Sequence, residues 1–281
     1  MIFRPTDYAP AIEYLLKRPV PNRHIITFLR AAQPGEPEVY TDDPTRPVGV
    51  MLLTDSRLPE PQAGEAMACR DVDVDADTEN AFERLVDSLD GGCYRFTFTR
   101  PWMIPLLWRR FEKISLTRSY YMKVTREKFV NRASLEHAEN VRELREADRS
   151  IVEAYPEDNP SLRKMFDYTM AKWRGGERAL RMLGMFDSGR LAAWVQFWMG
   201  PGLAEVTNIQ AHPDFRRRGC AAMLLSVAVI AIFKDHDVAY YTAPDDNKPS
   251  VRLARSVGFS RESCMYYFLG TRRKARRGPG E

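Results

Sequence analysis

Three consecutive arginines, Arg216, Arg217 and Arg218, run into Gly219 and the small Ala221, just ahead of an apolar stretch that reaches Phe233. These types at this spacing suit the holding of a phosphorylated group. A helix N-terminus presents unpaired N–H groups and the positive end of its dipole. Gly219 lets an anion approach the backbone, Ala221 keeps the next turn open, and the guanidinium groups add charge. Leu203–Ala211, before the loop, reads as a strand. The order is therefore strand, short loop, Arg216-x-x-Gly219-x-Ala221, buried helix. Neither common nucleotide loop fits, since there is no Gly-x4-Gly-Lys-Ser/Thr and no Gly-x-Gly-x-x-Gly.

A second motif lies downstream, Asn247-Lys-Pro-Ser250-Val-Arg-Leu-Ala254-Arg-Ser-Val-Gly258-Phe259. Together the two resemble the coenzyme A segments of the GNAT N-acetyltransferase superfamily. The first is similar to that family's pyrophosphate loop, the second to its Asn-x-x-Ser/Ala-x-x-Leu-Tyr-x-x-x-Gly-Phe segment. The resemblance covers residues 140–270 well, whereas in 1–126 only the order of elements matches. It implies an α/β fold with two tandem GNAT-like domains, each a mixed, mostly antiparallel sheet flanked by helices. It also implies one intact site for acetyl-CoA, or another acyl-CoA, as co-substrate. The acyl group would pass to an amine of a small molecule or peptide by direct attack in a ternary complex, with no metal.

Carried onto this chain, the resemblance places the thioester in a cleft where the sheet splays open. The backbone of Ile209, Gln210 and Ala211 would hold the pantetheine arm like an added strand. Amides from Arg217 through Arg218, Gly219 and Cys220 to Ala221 would hold the pyrophosphate, with Arg216 beside them. Asn247 and Ser250 would lie near the pantetheine or thioester end. Glu205, four residues before Ile209, falls where some relatives place a general base. The attacking amine must lose a proton, and a partly buried carboxylate can accept it, often through water. The alternative role for Glu205 is a solvated or salt-bridged strand residue. Ala254 is a departure, because many relatives carry there a tyrosine that protonates the departing thiolate. Tyr155, Tyr240, Tyr241 and Tyr266 are the candidates to substitute, each with packing as its alternative. A thiol with pKa ~8.5 is already a competent leaving group. A backbone N–H near Ile209 would stabilise the oxyanion. His212 reads as a structural turn residue and Cys220 as a small apolar spacer rather than a nucleophile.

These side chains need a framework, and the second half reads as one. Strands are expected at Val141–Leu144, Arg181–Phe186, Leu191–Met199, Leu203–Ala211, Val238–Ala243 and Cys264–Leu269. Helices are expected near Ser161–Trp173, Arg217–Lys234 and Pro249–Val257, with Gly258 as a left-handed cap. The first half repeats the rhythm faintly, which reads as a divergent internal duplication. The division drawn is 1–126 as a degenerate GNAT-like domain, 127–139 as a linker, 140–270 as the catalytic domain and 271–281 as a basic tail. Leu58–Asp75 reads as a long irregular excursion.

Composition bounds the rest. The 281 residues carry 42 Lys+Arg against 38 Asp+Glu, yet Thr271–Glu281 holds five of the bases and one acid, leaving 37 of each in residues 1–270. A formally neutral body argues against a nucleic-acid partner. The apolar run Cys220–Phe233 falls short of the roughly 18 residues that span a bilayer, and Pro5 and Asp7 stand where a leader would be apolar. The four cysteines, 69, 93, 220 and 264, are isolated, so neither a disulfide nor a zinc site is expected. A cytoplasmic protein is the expectation. Two other functions stay open: a non-catalytic acyl-CoA-binding or regulatory module, favoured by Ala254, and an aminoacyl-tRNA-dependent transferase, against which the neutral body and the intact loop argue.

Overall fold

The computed structural model describes residues 1–31, 38–55, 69–133, 139–156, 160–200 and 202–272. The chain forms two compact units, residues 1–119 with 263–281, and residues 120–262.

In the first unit, β1 (Glu38–Thr41), β2 (Gly49–Asp55), β3 (Cys69–Ala76), β4 (Cys93–Phe98) and the C-terminal end of β11 (Ser260–Arg272) pair in that order. All neighbours are antiparallel except β3 and β4, whose parallel pairing runs through α3 (Glu79–Asp87). A parallel pair requires such a crossover. Thr78 starts α3, its hydroxyl accepting the Ala81 N–H at 3.2 Å. The two-residue period of β2 sorts its side chains. Val50 and Leu52 meet α1 (Ala9–Leu16) and α2 (Pro19–Ala31) on one face, while Met51 and Leu53 meet α3 and α4 (Met103–Arg110) on the other.

Three expectations are corrected here. The excursion Leu58–Asp75 contains all of β3 but its last residue, and the alternating Asp71-Val72-Asp73-Val74 buries its valines although aspartate disfavours strands; residues 56–68 lie outside the described residues. The β3–β4 register sets Cys69 against Cys93, and the two form a disulfide with Cα atoms 4.6 Å apart. Cys220 and Cys264 are free thiols. Finally, the strand expected to close the second half, Cys264–Leu269, pairs with β4, Tyr266 opposite Phe98, and so belongs to the first unit. The proposed tail beyond Arg272 and residues 134–138 of the proposed linker lie outside the described residues.

In the second unit, β6 (Val141–Glu143), β7 (Leu180–Asp187), β8 (Arg190–Gly200) and β9 (Leu203–Ala211) form an antiparallel run. β10 (Val238–Pro244) pairs with β9 in parallel, and β5 (Phe111–Thr125), which enters this unit at Tyr120, lies beside β10. Its helices include α5 (Arg149–Glu153) and α6 (Pro160–Arg174) on one face, packed on Met182, Leu191 and Trp194. On the other face, α7 (Cys220–Ile232) and α8 (Lys248–Ser256) cover Val195, Phe197, Ala204, Val206 and Tyr241. Helix α7 is apolar nearly all round and its buried side chains include Leu224, Leu225, Ala228 and Val229, as expected of a helix pressed against a sheet. Among the described residues no helix is long and apolar enough to cross a membrane.

Candidate functional site: an anion cleft beside a parted strand pair

Strand β9 carries a one-residue irregularity. Gln196 of β8 stands opposite Asn208, but the next residue, Phe197, stands opposite Val206, so Thr207 is passed over. Such a bulge bends the strand and shifts its side-chain parity. Ala204 and Val206 face the α7 core before it, and Ile209 and Ala211 pack against that core after it. Buried Gln196 pins the bulge. Its Nε2 donates to Thr169 Oγ1 at 2.9 Å, and its Oε1 accepts from Asn208 Nδ2 at 2.9 Å and Thr207 Oγ1 at 3.2 Å. The register of β9 with β10 holds two pairs, Glu205 with Tyr240 and Val206 with Tyr241. Beyond Val206, residues Asn208–Ala211 pair with β8, and β9 opens toward a cleft.

That cleft, about 680 Å³ in volume, is bounded by the end of β9, the loop into α7 and the exposed face of α8. Arg217 and Gly219 both have left-handed backbones, with φ of 63° and 81°. Arg217 is one of two non-glycine residues with positive φ among those described, the other being Ser188. Left-handed residues interleaved with ordinary ones turn successive N–H groups toward one point, the arrangement of an anion-binding nest. A Cβ on Gly219 would have no atom within 4 Å, so the backbone is open there. No side chain caps α7, which leaves the first-turn amides of Cys220, Ala221 and Ala222 without a capping partner. Two other helices are closed by side chains: α3 by Thr78 and α8 by Asn247, whose Oδ1 accepts the Ser250 N–H at 3.1 Å.

Ile209, Gln210, Ala211, Arg216, Arg217, Gly219, Cys220, Ala221, Asn247 and Ser250 all line this one cleft. Arg218 does not, its guanidinium lying 5.4 Å from the centre of the Phe215 ring. Glu205 is placed elsewhere as well. It lies between two residues that face the α7 core, so its side chain points to the opposite sheet face, buried, with Oε1 accepting from Thr242 Oγ1 at 2.5 Å. Tyr240, its register partner, stacks on Tyr121 at 5.2 Å. His212 has the structural role expected of it, its Nδ1 accepting the Asp214 N–H at 3.2 Å while its ring meets Tyr155 and Phe215 edge-on. Burial pushes the Cys220 thiol up, which suits a packed spacer and not a nucleophile. Sequence reasoning missed Arg252 as a cleft residue. Its signal was the helical spacing of Pro249, Arg252, Leu253 and Ser256, which puts all four on the cleft face of α8. Ala254 is fully buried against the core.

The fold is a mixed α/β sheet flanked by helices, with an uncapped helix N-terminus beside a parted strand pair. Residues 139–259 match the acetyltransferase (GNAT) family. No curated protein matches the chain in sequence. Among solved structures, a GCN5-related N-acetyltransferase from Sphaerobacter thermophilus is similar over 98% of this chain and 97% of its own, at 11% identity and a TM-score of 0.61. A tandem GNAT protein from the clavulanic acid biosynthesis pathway is similar over 98% and 100%, at 11% identity and 0.60. A Drosophila protein is similar over 83% and 79%, at 16% identity and 0.61.

Proposed function

We propose that the chain is an acyl-CoA-dependent N-acyltransferase that moves acetyl, or another acyl group, from coenzyme A to an amine. The observation that carries this reading is the uncapped N-terminus of α7, preceded by left-handed Arg217 and Gly219 and opening into the same cleft as the free end of β9. A pyrophosphate suits that N-terminus, where amides and dipole meet in a cleft also lined by Arg216 and Arg217. Arg252 adds a third cation from α8. The backbone of Ile209–Ala211 is the complement of a pantetheine arm, which bonds like an extra strand.

Glu205 is proposed as the base. It lies beside the point where β9 and β10 part, on the sheet face opposite α7, and Thr242 fixes one carboxylate oxygen. An amine approaching from that face would deliver its proton to the Glu205 carboxylate, directly or through one water, and then attack the carbonyl. A backbone N–H of β9 near Ile209 would stabilise the oxyanion. The first unit is proposed as a degenerate counterpart without a cofactor site, and the second, residues 120–262, as the catalytic part. A cytoplasmic location goes with this reading.

The buried Ala254 favours a second reading, acyl-CoA binding without turnover. Calorimetric titration of acetyl-CoA into the wild-type chain and Gly219→Asp tests the cofactor site, and amine screening then separates the two readings. Binding lost in the variant supports the site. Absence of binding to wild type, repeated with longer acyl-CoAs, rejects it.

A further inference from the structure

The side chain that would meet a departing thiolate from α8 is missing, because Ala254 carries no hydroxyl. A different pair of hydroxyls occupies this region. Tyr241, on β10, is buried beneath α8, and its phenol shares a 2.6 Å hydrogen bond with Ser250 Oγ. Ser250 stands four residues before Ala254, hence one turn away on the same helix face. Ser250 also lines the cleft, half exposed, together with Ile209 and Asn247. The phenol is therefore dry and the serine wet, and the bond between them crosses from core to cleft.

Resting on the acyl-CoA reading above, we infer that Ser250 donates a hydrogen bond to the leaving sulfur and that Tyr241 positions and polarises it from behind. Either hydroxyl can donate in this bond, and in the scheme the phenol donates to Ser250 Oγ, so that the serine proton points into the cleft. Transfer then balances as follows. The amine nitrogen forms a bond to the carbonyl carbon, its proton goes to Glu205, and the carbon–sulfur bond breaks with its electron pair on sulfur. Coenzyme A leaves as a thiolate held by the Ser250 O–H, and solvent later protonates it. Full proton transfer from tyrosine is not required, since a thiol of pKa ~8.5 is the stronger acid of the two. Burial also pushes the Tyr241 phenol up, which keeps it a donor across the working pH range. A preorganised donor of this kind acts where charge develops. Ser250 is the catalytic residue in this scheme, and Tyr241 is a positioning residue.

The test needs no acceptor. Free coenzyme A is bound to the full-length wild type, Ser250→Ala, Ser250→Thr and Tyr241→Phe, and the ionisation of its thiol is followed by the ultraviolet absorbance of the thiolate. Desulfo-coenzyme A binding to each, by calorimetry, reports that the fold and the cleft are intact. A hydrogen bond to the thiolate lowers the thiol pKa in wild type relative to free coenzyme A. Its loss in Ser250→Ala raises that value by about one unit, a tenfold change. Tyr241→Phe gives about threefold, the low end of one hydrogen bond, and Ser250→Thr restores the wild-type value. A bound thiol that ionises as in free solution, unaltered by any variant while desulfo-coenzyme A still binds, overturns the relay and leaves the cofactor site standing. A wild type that binds neither ligand overturns the acyl-CoA reading and the relay with it.

Discussion

Val206 and Tyr241 form the last register pair between β9 and β10, and the residue that follows Val206 is Thr207, the bulge passed over by β8. The parting of the strands and the bulge are thus adjacent. A bulge increases local twist and bends the strand that carries it, so β9 leaves β10 where its own geometry changes. The cleft is a product of this one irregularity, and the side chain that secures it is Gln196.

Gln196→Leu keeps the volume and removes the amide. Asn208 and Thr169 then lose a buried partner, and a buried polar group left unpaired costs about 1–3 kcal/mol. The denaturation midpoint should fall accordingly. Acyl-CoA affinity should fall further than the stability loss alone explains, because Ile209–Ala211 lose their fixed register. A variant that is destabilised yet binds acyl-CoA as tightly as wild type would separate the bulge from the cleft.

Arg217 holds a conformation that costs a non-glycine residue about 1–2 kcal/mol. Arg217→Gly should therefore leave the thermal midpoint unchanged or slightly raised, since relief of strain is offset by the entropy of glycine. The same change removes a cation from the cleft, and acyl-CoA affinity should fall about tenfold, one charge-assisted contact of 1.5–3 kcal/mol less partial compensation by Arg216. Local strain that aids binding and not folding has this signature. A drop in both quantities would show Arg217 to be an ordinary structural residue.

The pairing of Cys69 with Cys93 predicts a thiol count. Alkylation in denaturant should label two cysteines without reductant, Cys220 and Cys264, and four with it. Reduction should also destabilise the first unit by about 3 kcal/mol, the order expected when a loop of this size is released. Four labelled cysteines before reduction would dissolve the bridge.

Asp148 ties the start of α5 to β6. Its carboxylate accepts two bonds from the Arg142 guanidinium, at 2.6 and 2.8 Å, and one from the Arg145 N–H at 2.9 Å. The Arg142 bonds, followed by the Arg145 amide, hold the group below the usual carboxylate range against the opposing effect of burial. A depressed pKa contributes stability above the unfolded value, about 3.9, and that stability is lost as pH falls through the lower folded value. Asp148→Asn should thus be less stable than wild type at neutral pH, and the gap between the two should shrink as pH falls below the usual carboxylate range. A difference that stays constant from neutral pH into acid would assign the effect to packing.

The cleft was legible in the sequence because its residues lie in two short segments whose spacing is local. Gly219, the arginines and the following apolar run identify a helix start without any knowledge of its neighbours. Cys69 and Cys93 were opaque for the opposite reason. They meet only through β3, a strand whose Asp71 and Asp73 argue against a strand. The end of β11 was readable as a strand but not as a partner of β4, because its alternation fits any sheet. Arg252 was hidden by attention to motif positions rather than to the helical face they share. Glu205 was found by its offset from Ile209, while its face was set by period-two alternation ahead of a bulge that no local pattern announces.

Glu205→Gln isolates the proposed base. Glutamine keeps the size and still accepts from Thr242 Oγ1, so folding should be preserved. Acetyl-CoA binding should also be unchanged, because Glu205 does not line the cleft. Turnover with any accepted amine should fall by about 10²–10⁴, the usual loss when a positioned base is removed. The loss should lie in kcat and shrink as pH rises, since a larger neutral fraction of the amine needs no base. Thr242→Val supplies the control, leaving the carboxylate present but free to rotate, and should cost less than Glu205→Gln. Equal turnover of Glu205→Gln and wild type, with acetyl-CoA bound by both, would remove Glu205 from the mechanism and leave the amine to lose its proton to solvent.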